Sequence, residues 1–347
     1  MSTAKIDYIR RRLLSWYGKN RRDLPWRRTR NPYAVWIAET MLQQTQVKSV
    51  LPYYRRFLRA FPTTRKLDHA SQEEVLALWS GLGYYRRAEN LKKAARIIMR
   101  EHRGKLPRKF DLILALPGVG PYTAGAVMSI AFNQVYSALD GNARRVLMRA
   151  FSLKKEADLQ RIGKLLVPPA RPGPFNQALM DLGATICSVR EPNCPSCPIG
   201  RSCAASSSGC FQLKVPSVTK RRIEKIEWPL AVIQNNKKIL LRRRPAGGLL
   251  GGLWEVPGGE REKEESPEAT LNRHLNGLGK IARPASFVGE VRHSITYRKI
   301  RAPVFFFSYC KQVRLPHPGW RWTLLSSLER YPLSSLSLKA IKLATQR

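Results

Sequence analysis

Four cysteines within seventeen residues constrain the fold of this 347-residue chain more than any other feature. They stand in the spacing C-x6-C-x2-C-x5-C, as Cys187, Cys194, Cys197 and Cys203. Zinc sites often pair two C-x2-C knuckles, whereas only one such knuckle occurs here. Prolines at 192, 195 and 198 would stiffen a short loop around a four-iron cube. The spacing therefore favours a 4Fe-4S cluster over a zinc ion.

The charge of the chain indicates a polyanionic partner. Lys and Arg number 62 against 24 Asp and Glu, which gives a formal net charge of +38. Such an excess goes far beyond what solubility requires, although a solvated basic surface is the alternative explanation. No apolar run approaches the ~18 residues that span a bilayer. We therefore expect a cytosolic, nucleoid-associated protein that does not bind membranes.

The N-terminus reads as a helix and not as a signal peptide. Its apolar residues recur at helical spacing among charges, at Ile6, Ile9, Leu13, Leu14 and Tyr17. No oligomerisation signal is present, so a monomer is expected.

The periodicity predicts two domains. Residues 1–203 form an all-helical domain, because apolar residues repeat at three and four in several stretches. These stretches are Val35–Val50, Gln72–Leu82, Arg87–Glu101 and Pro121–Phe132. Residues 204–226 read as a basic linker. Residues 227–347 form an α+β domain. Its strand signals are Leu230–Ile233, Ile239–Leu241 and Val304–Tyr309.

Residues 116–124 contain a Gly-Val-Gly turn between two helical patterns, which is typical of a helix-hairpin-helix. Gly118 and Gly120 would let the backbone approach a phosphate closely, beside the positive end of the second helix. A plain αα-hairpin is the alternative. Asp140 follows twenty residues after Gly120 and precedes another helical run. This aspartate is a candidate functional carboxylate, although it could also serve as a helix N-cap.

The hairpin, Asp140 and the downstream cysteines together resemble the endonuclease III superfamily of base-excision glycosylases. Within that superfamily the chain is similar to the MutY-type adenine DNA glycosylases, most specifically over Glu39–Val47 and Gly81–Tyr85. The resemblance covers nearly the whole chain. It implies a helix-hairpin-helix glycosylase domain with a 4Fe-4S loop, followed by a Nudix-like domain. The implied substrate is double-stranded DNA in which adenine is mispaired with 8-oxoguanine or guanine.

Excising a base requires an acid for the leaving base and a negative charge beside the oxocarbenium-like sugar. By resemblance, Glu39 protonates adenine and helps activate water, while Asp140 stabilises the sugar cation. An unperturbed glutamate is only about 0.2% protonated at pH 7, so Glu39 needs a raised pKa. Burial among Trp36, Ile37 and Met41 could supply it. A surface helix carboxylate is the alternative.

Position 122 separates the related activities, because the strand-cleaving lyases of the superfamily carry a Schiff-base lysine there. Here the residue is Tyr122, so the imine route is closed and we expect a monofunctional glycosylase. Three other functions stay open at this point. They are an endonuclease III-like lyase acting on oxidised pyrimidines, a noncatalytic iron-sulfur DNA-binding protein and a nucleotide hydrolase.

The resemblance also implies contacts with a base pair opened by base flipping. Gln44 would intercalate, Tyr84 would wedge beside 8-oxoguanine, and Thr45 would contact that lesion. Core or groove packing is the alternative for Tyr84. Arg27 and Asp181 match positions near the adenine pocket. The implied DNA contacts are Arg27, Gln44, Thr45, Leu82, Tyr84, Gly118, Gly120 and Thr296.

The C-terminal region resembles a Nudix domain over Leu249–Gly259. A working Nudix hydrolase would continue with paired carboxylates that hold magnesium, and Glu268–Gly277 lacks them, so we expect binding without hydrolysis. The usual Phe-Ser-His recognition motif is replaced by Ile295-Thr296-Tyr297, in which Thr296 keeps the hydroxyl. We expect this replacement to alter the preference for 8-oxoguanine over guanine.

Overall fold

The computed structural model describes residues 2–209, 222–245, 247–276, 278, 286–308, 315 and 319–346. The described residues of Met1–His69 and Asn90–Val218 pack as one unit, and those of Ala70–Glu89 and Thr219–Arg347 pack as a second. The segment 70–89 therefore packs with the C-terminal half. The domain boundaries at 203 and 226 stay a prediction, because residues 210–221 of the linker lie outside the described residues.

Residues 2–209 are helical apart from short connections, as the periodicity predicts. The helices are α1 (Thr3–Asn20), α2 (Pro32–Leu42), α3 (Val47–Ala60), α4 (Thr64–His69), α5 (Gln72–Trp79), α6 (Arg86–Glu101), α7 (Phe110–Leu114), α8 (Pro121–Ile130), α9 (Gly141–Phe151), α10 (Glu156–Leu166), α11 (Pro172–Thr185) and α12 (Ala204–Ser208). Among the described residues, no helix is both long enough and apolar enough to cross a membrane.

The N-terminal helix α1 confirms the predicted amphipathic pattern. Ile6, Ile9, Leu13 and Tyr17 are its buried residues, and they join a core shared with α9, α10 and α11. Phe175 of α11 is fully buried in the same core. Burial of this apolar face, and not intrinsic propensity, stabilises such a helix.

Polar caps determine where α2 begins. The Asn31 side chain accepts the backbone N–H groups of Tyr33 and Ala34, and proline occupies the first helical position. These bonds satisfy donors that have no partner within the helix. The predicted helical pattern over Val35–Val50 is interrupted, because α2 ends at Leu42 and α3 begins at Val47.

The hairpin between α7 and α8 confirms the predicted helix-hairpin-helix. Gly118 has a φ of +79°, and a Cβ at this position would lie 2.8 Å from Asn90 Cβ. Only glycine meets both demands without strain. Gly120 precedes α8 as its N-cap, and Pro121 follows in the first turn.

The described residues of the second unit form a seven-stranded mixed sheet, which confirms the predicted α+β class. The strands are β1 (Glu224–Glu227), β2 (Leu230–Asn235), β3 (Lys238–Arg243), β4 (Trp254–Glu255), β5 (Ser286–Ile295), β6 (Arg298–Ser308) and β7 (Trp320–Leu324). Their order is β1-β6-β2-β3-β4, with β5 beside β6 and β7 beside β3. Of the predicted strand residues, Tyr309 lies outside the described residues.

Where the structure describes this unit, it also contains the helices α13 (Pro267–Leu275) and α14 (Ser335–Thr345). Leu271 and Leu275 of α13 pack in one apolar cluster with β2 and β3 residues. Leu336 and Ile341 of α14 pack in a second cluster with other residues of the same strands. Because successive side chains of a strand point to opposite faces, both faces of the sheet are covered.

Candidate active site and DNA interface

Glu39 lies on α2 and its side chain is only 4% exposed. The Tyr122 hydroxyl on α8 donates a hydrogen bond to Glu39 Oε2. Burial raises the pKa of Glu39 to about 7, although the Tyr122 hydrogen bond lowers it, and the charge of Asp140 adds to the rise. A carboxyl with this pKa is about half protonated at pH 7. The structure therefore supplies the burial and the raised pKa that an acid role requires.

Asp140 caps the N-terminus of α9. Its Oδ1 accepts the Ala143 N–H at 2.7 Å, and its Oδ2 accepts a hydrogen bond from the Asn142 side chain at 3.0 Å. Burial raises the pKa of Asp140, whereas these two neighbours lower it. Asp140 is thus the N-cap of α9, and it also lies close enough to Glu39 for its charge to raise the pKa of Glu39. The cap fixes the direction of the carboxylate.

Tyr122 lies in the first turn of α8, directly after the hairpin. Burial and the nearby carboxylates Glu39 and Asp140 raise the pKa of its hydroxyl well above the usual value. The phenol therefore stays neutral and donates to Glu39. It offers no amine to a sugar aldehyde.

A third carboxylate in this unit, that of Asp181, is held by two arginines. Asp181 on α11 is fully buried. Arg27 Nη2 donates to its Oδ1 at 2.7 Å, and Arg22 Nε donates to the same oxygen at 2.6 Å. Arg27 also lowers the pKa of Glu39 through its charge. The structure brings the two predicted pocket residues, Arg27 and Asp181, into contact. Sequence reasoning missed Arg22, which has no motif of its own.

The connection between α2 and α3 exposes Gln44, which has a φ of +56°. Gln43 anchors this turn, because its Nε2 donates to Thr123 Oγ1 on α8 at 3.1 Å. The Thr45 hydroxyl donates to the Gln43 carbonyl at 3.3 Å. Gln44 and Thr45 are therefore presented from a turn tied to the hairpin. Sequence reasoning missed the anchoring role of Gln43.

The hairpin glycines leave the start of α8 open. A Cβ at Gly120 would meet no atom within 4 Å, so a ligand has room to approach the backbone there. At position 118, by contrast, glycine is required because the backbone is left-handed and because a Cβ would clash with Asn90. The two glycines therefore serve different purposes within one motif.

Leu82 and Tyr84 belong to the second unit. Tyr84 has a φ of +51°, and its side chain is 46% exposed. Leu82 is only 7% exposed, so the predicted DNA contact of its side chain is not supported. The Leu82 side chain packs inward, and only its backbone could meet a ligand.

Thr296 lies at the exposed turn between β5 and β6, with a φ of +54°. Its hydroxyl donates to the Ile295 carbonyl at 2.7 Å. His293 lies within β5, as a strand histidine would, and burial lowers its pKa. The hairpin therefore offers a hydroxyl at its tip but neither of the other two groups of the usual recognition motif.

The four cysteines line one pocket, together with Ile186, Ile199 and Ala205. All four are half-buried free thiols, and burial raises the pKa of Cys197 to about 11. In the described part of the chain, no three His, Cys, Asp or Glu residues gather tightly enough to hold a metal ion.

Arg149 of α9 anchors the start of the cysteine loop. Its guanidinium donates to the carbonyls of Ser188 and Val189 at 2.6 and 2.8 Å and to Cys187 Sγ at 3.4 Å. Its neighbour Arg145 donates to the Cys187 carbonyl at 2.9 Å. These arginines, which sequence reasoning missed, hold the loop against α9.

In the segment that resembles a Nudix domain, basic side chains engage a buried carboxylate. Arg242 and Arg244 each donate to the buried Glu255 at 2.9 Å. His274 on α13 lies so close to Gly259 that a Cβ there would come within 1.9 Å of His274 Nε2. Burial, together with Arg242, lowers the pKa of His274 to about 4. The imidazole is therefore neutral at pH 7 and occupies the space beside the glycine.

Comparisons with known proteins agree with this architecture. Residues 37–169 match the HhH-GPD superfamily base excision DNA repair protein model, and residues 230–343 match the NUDIX domain model. A thermostable thymine-DNA glycosylase is 32% identical, with a TM-score of 0.56, over 59% of this chain and 98% of its own. An endonuclease III trapped on DNA has a TM-score of 0.53 at 23% identity, over 60% of this chain and 99% of its own, and shows the fold alone.

Curated relatives match most of the chain. The adenine DNA glycosylase of Rattus norvegicus is 35% identical, over 98% of this chain and 78% of its own length. That of Buchnera aphidicola from Acyrthosiphon pisum is 41% identical, over 82% of this chain and 83% of its own. With its helix-hairpin-helix, its buried glutamate on α2 and its C-terminal NUDIX domain, the chain belongs to the adenine DNA glycosylase family.

Proposed function

We propose that this chain is a monofunctional glycosylase that hydrolyses the N-glycosidic bond of adenine mispaired with 8-oxoguanine or guanine. The observation that carries the proposal is Glu39, a buried carboxyl with a pKa of about 7, beside Tyr122 and Asp140. General acid catalysis is most effective when the pKa of the acid lies near the working pH.

Glu39 would act first as an acid and then as a base. In its protonated form it donates to a nitrogen of the flipped adenine, so the base leaves as a neutral molecule. The resulting carboxylate then takes a proton from the water that attacks the sugar. Tyr122 keeps Glu39 in position throughout, because its own hydroxyl stays protonated.

Asp140 would stabilise the positive charge that develops on the sugar as the base departs. The hydrogen bonds from Ala143 and Asn142 hold its carboxylate in a fixed direction. Such prior orientation avoids reorganisation during the reaction. Because position 122 carries no amine, we expect an intact abasic site as the product.

DNA recognition would involve residues of both units. The Arg27–Asp181 pair would line the adenine pocket, while Gln44 and Thr45 would enter the opened base pair. Tyr84 and Thr296 would meet the 8-oxoguanine, and the open backbone at Gly120, with Gly118 shaping its turn, would bind phosphate. The net charge of +38 would attract the duplex. The protein would act as a monomer in the cytoplasmic nucleoid.

The four cysteines would hold a 4Fe-4S cluster, whose contribution when bound is to order the loop. Their chemistry fits, because four thiols line one apolar pocket. Purified protein that carries zinc and no acid-labile sulfide would contradict this assignment.

The NUDIX domain would bind without hydrolysing. His274 fills the space beside Gly259, and Glu255 is engaged by two arginines. This packing favours a binding role over the nucleotide hydrolase considered from the sequence. A magnesium-dependent hydrolysis of nucleoside triphosphates by the purified chain would contradict it.

Single-turnover base release tests the main proposal. Duplexes that pair adenine with 8-oxoguanine, guanine, cytosine or thymine are compared at one salt concentration. We expect release of adenine opposite 8-oxoguanine and guanine, and little opposite thymine. No release from any mispair would contradict the proposal. Efficient covalent trapping by borohydride would instead indicate the lyase alternative.

A further inference from the structure

The loop of residues 80–85, here called the wedge loop, is built into the C-terminal unit. It follows α5 and carries Tyr84, which we propose above to meet 8-oxoguanine. The backbone carbonyl of Leu333, far along the sequence, accepts hydrogen bonds from residues at both ends of this loop. Ser80 Oγ donates to the Leu333 carbonyl at 2.6 Å, and the Tyr85 hydroxyl donates to the same oxygen at 3.2 Å.

The acceptor itself is rigidly placed. Leu333 is fully buried and pairs with Trp254 of β4 as an isolated parallel bridge. The Leu333 N–H donates to the Tyr331 carbonyl at 2.8 Å, and the Trp254 N–H donates to the Pro332 carbonyl at 2.9 Å. The carbonyl therefore has a fixed position relative to the sheet.

A second tie holds the helix that leads into the wedge loop. Trp254 Nε1 donates to Glu73 Oε1 on α5 at 2.6 Å. The Trp254 ring meets the Tyr331 ring edge-on at 5.8 Å, and Arg321 lies 5.3 Å from the Trp254 ring centre. The C-terminal half thus binds α5 and the wedge loop through adjacent contacts.

Side-chain hydrogen bonds fix the backbone of the wedge loop at Gly83, and the neighbouring Tyr84 is exposed. Trp79 Nε1 and Arg87 Nη2 both donate to the Gly83 carbonyl, at 3.0 and 3.1 Å. The Arg87 guanidinium lies 5.2 Å from the Tyr84 ring centre. Tyr84 adopts a left-handed φ of +51°, which is unfavourable for a bulky residue and needs support from its surroundings.

We propose that the C-terminal half positions Tyr84 for lesion recognition through the Leu333 carbonyl, with Ser80 and Tyr85 as positioning residues. This inference rests on the proposed function. It implies that the C-terminal half aids recognition of 8-oxoguanine in two ways, directly through the Thr296 hairpin and indirectly through the wedge loop. The chemistry at Glu39 and Asp140, which belong to the other unit, would not depend on this tie.

The test uses Ser80→Ala, Tyr85→Phe and the double variant in the full chain. Each removes one donor to Leu333 and leaves the loop length unchanged. The readout is the ratio of adenine release opposite 8-oxoguanine to release opposite guanine, in single turnover. We expect the ratio to fall roughly 2- to 10-fold for each single variant, while release opposite guanine stays near wild type.

Two controls separate positioning from general destabilisation. Tyr33→Phe removes a comparable hydroxyl bond to a backbone carbonyl, that of Phe61 at 2.8 Å, outside the wedge loop, and should leave the ratio unchanged. Ser80→Thr keeps a hydroxyl donor to the Leu333 carbonyl and should therefore keep the wild-type ratio of release. In a Tyr84→Ala background, the double variant should lower the ratio no further.

The outcomes distinguish this proposal from the one on which it rests. If wild type releases no adenine from either mispair, the proposed function itself fails. If wild type releases adenine equally opposite 8-oxoguanine and guanine, the proposed function stands and the positioning role is wrong, because there is then no lesion preference for Tyr84 to support. If wild type is selective and the double variant keeps the full ratio, the positioning role is wrong. An equal loss opposite 8-oxoguanine and guanine would overturn it as well, because that result indicates lost folding or chemistry.

Discussion

Each of the two units buries a glutamate, and the two glutamates have opposite surroundings. Glu39 is 4% exposed and Glu255 is 2% exposed. Glu39 accepts a hydrogen bond from a neutral phenol, whereas Glu255 accepts bonds from Arg242 and Arg244. Burial raises the pKa of Glu39, whereas Glu255 is held in two ion pairs with arginines. The two glutamates therefore differ in their partners and hardly in their burial.

Glu39→Gln tests the reactive member of the pair and should give the largest effect. The amide keeps the shape of the side chain but cannot deliver a proton, so we expect single-turnover adenine release to fall by about 10² to 10⁴. The matched Glu255→Gln variant should leave release within a few-fold of wild type. Undiminished release by Glu39→Gln would remove Glu39 from the mechanism.

The same two variants should shift stability in opposite directions. Because the pKa of Glu39 is raised from 4.5 to about 7 in the folded chain, its stabilising contribution is complete below pH 4.5 and is lost as pH rises through 7. The free energy of unfolding of Glu39→Gln minus that of wild type should therefore be about 3 kcal/mol larger at pH 8 than at pH 4.

Glu255→Gln should instead lose about 3 kcal/mol at neutral pH, because it leaves two arginines without their buried anion. Denaturant unfolding of both variants and wild type at pH 4 and pH 8 measures the contrast. Equal shifts of the same sign would refute the distinction between the two glutamates.

Asp140→Asn separates the charge of Asp140 from its capping role. Asparagine is a good N-cap, so α9 should keep its start and the chain its stability. Adenine release should still fall by about 10², because the negative charge beside the sugar is lost. Thermal unfolding near that of wild type, measured together with base release, checks both halves of this expectation. A variant with normal release would leave Asp140 with the capping role alone.

Tyr122→Phe should give the smallest effect and the most specific one. The Tyr122 hydrogen bond lowers the pKa of Glu39, so its removal should raise that pKa further. The pH above which release declines should therefore move upward, with a change of only a few-fold in rate at pH 7. If the pH above which release declines moved downward instead, the assigned hydrogen bond would be contradicted.

Much of the fold could be predicted from local pattern. The apolar residues of α1, the glycines of the hairpin and the short apolar runs of β2 and β3 are signals contained within a few residues. The buried position of Glu39 could also be anticipated, because Trp36, Ile37 and Met41 surround it in sequence and are themselves buried.

What could not be predicted are contacts between distant residues. The bond from Ser80 to Leu333 spans 253 positions, and that from Arg22 to Asp181 spans 159. Neither leaves a periodic or compositional trace. The turn at Gln43–Gln46 was likewise hidden, because its flanks continue the helical pattern while Gln43 is fixed by Thr123 on another helix.

The most direct measurement is a titration of the Glu39 carboxyl itself. Infrared difference spectra of wild type and Glu39→Gln, recorded from pH 4 to pH 9, isolate the protonated carboxyl band of this one residue. We expect the band to disappear with a pKa of about 7. A band already lost near the ordinary value of 4.5 would contradict it, because Glu39 would then be ionised at neutral pH and unable to protonate the leaving base.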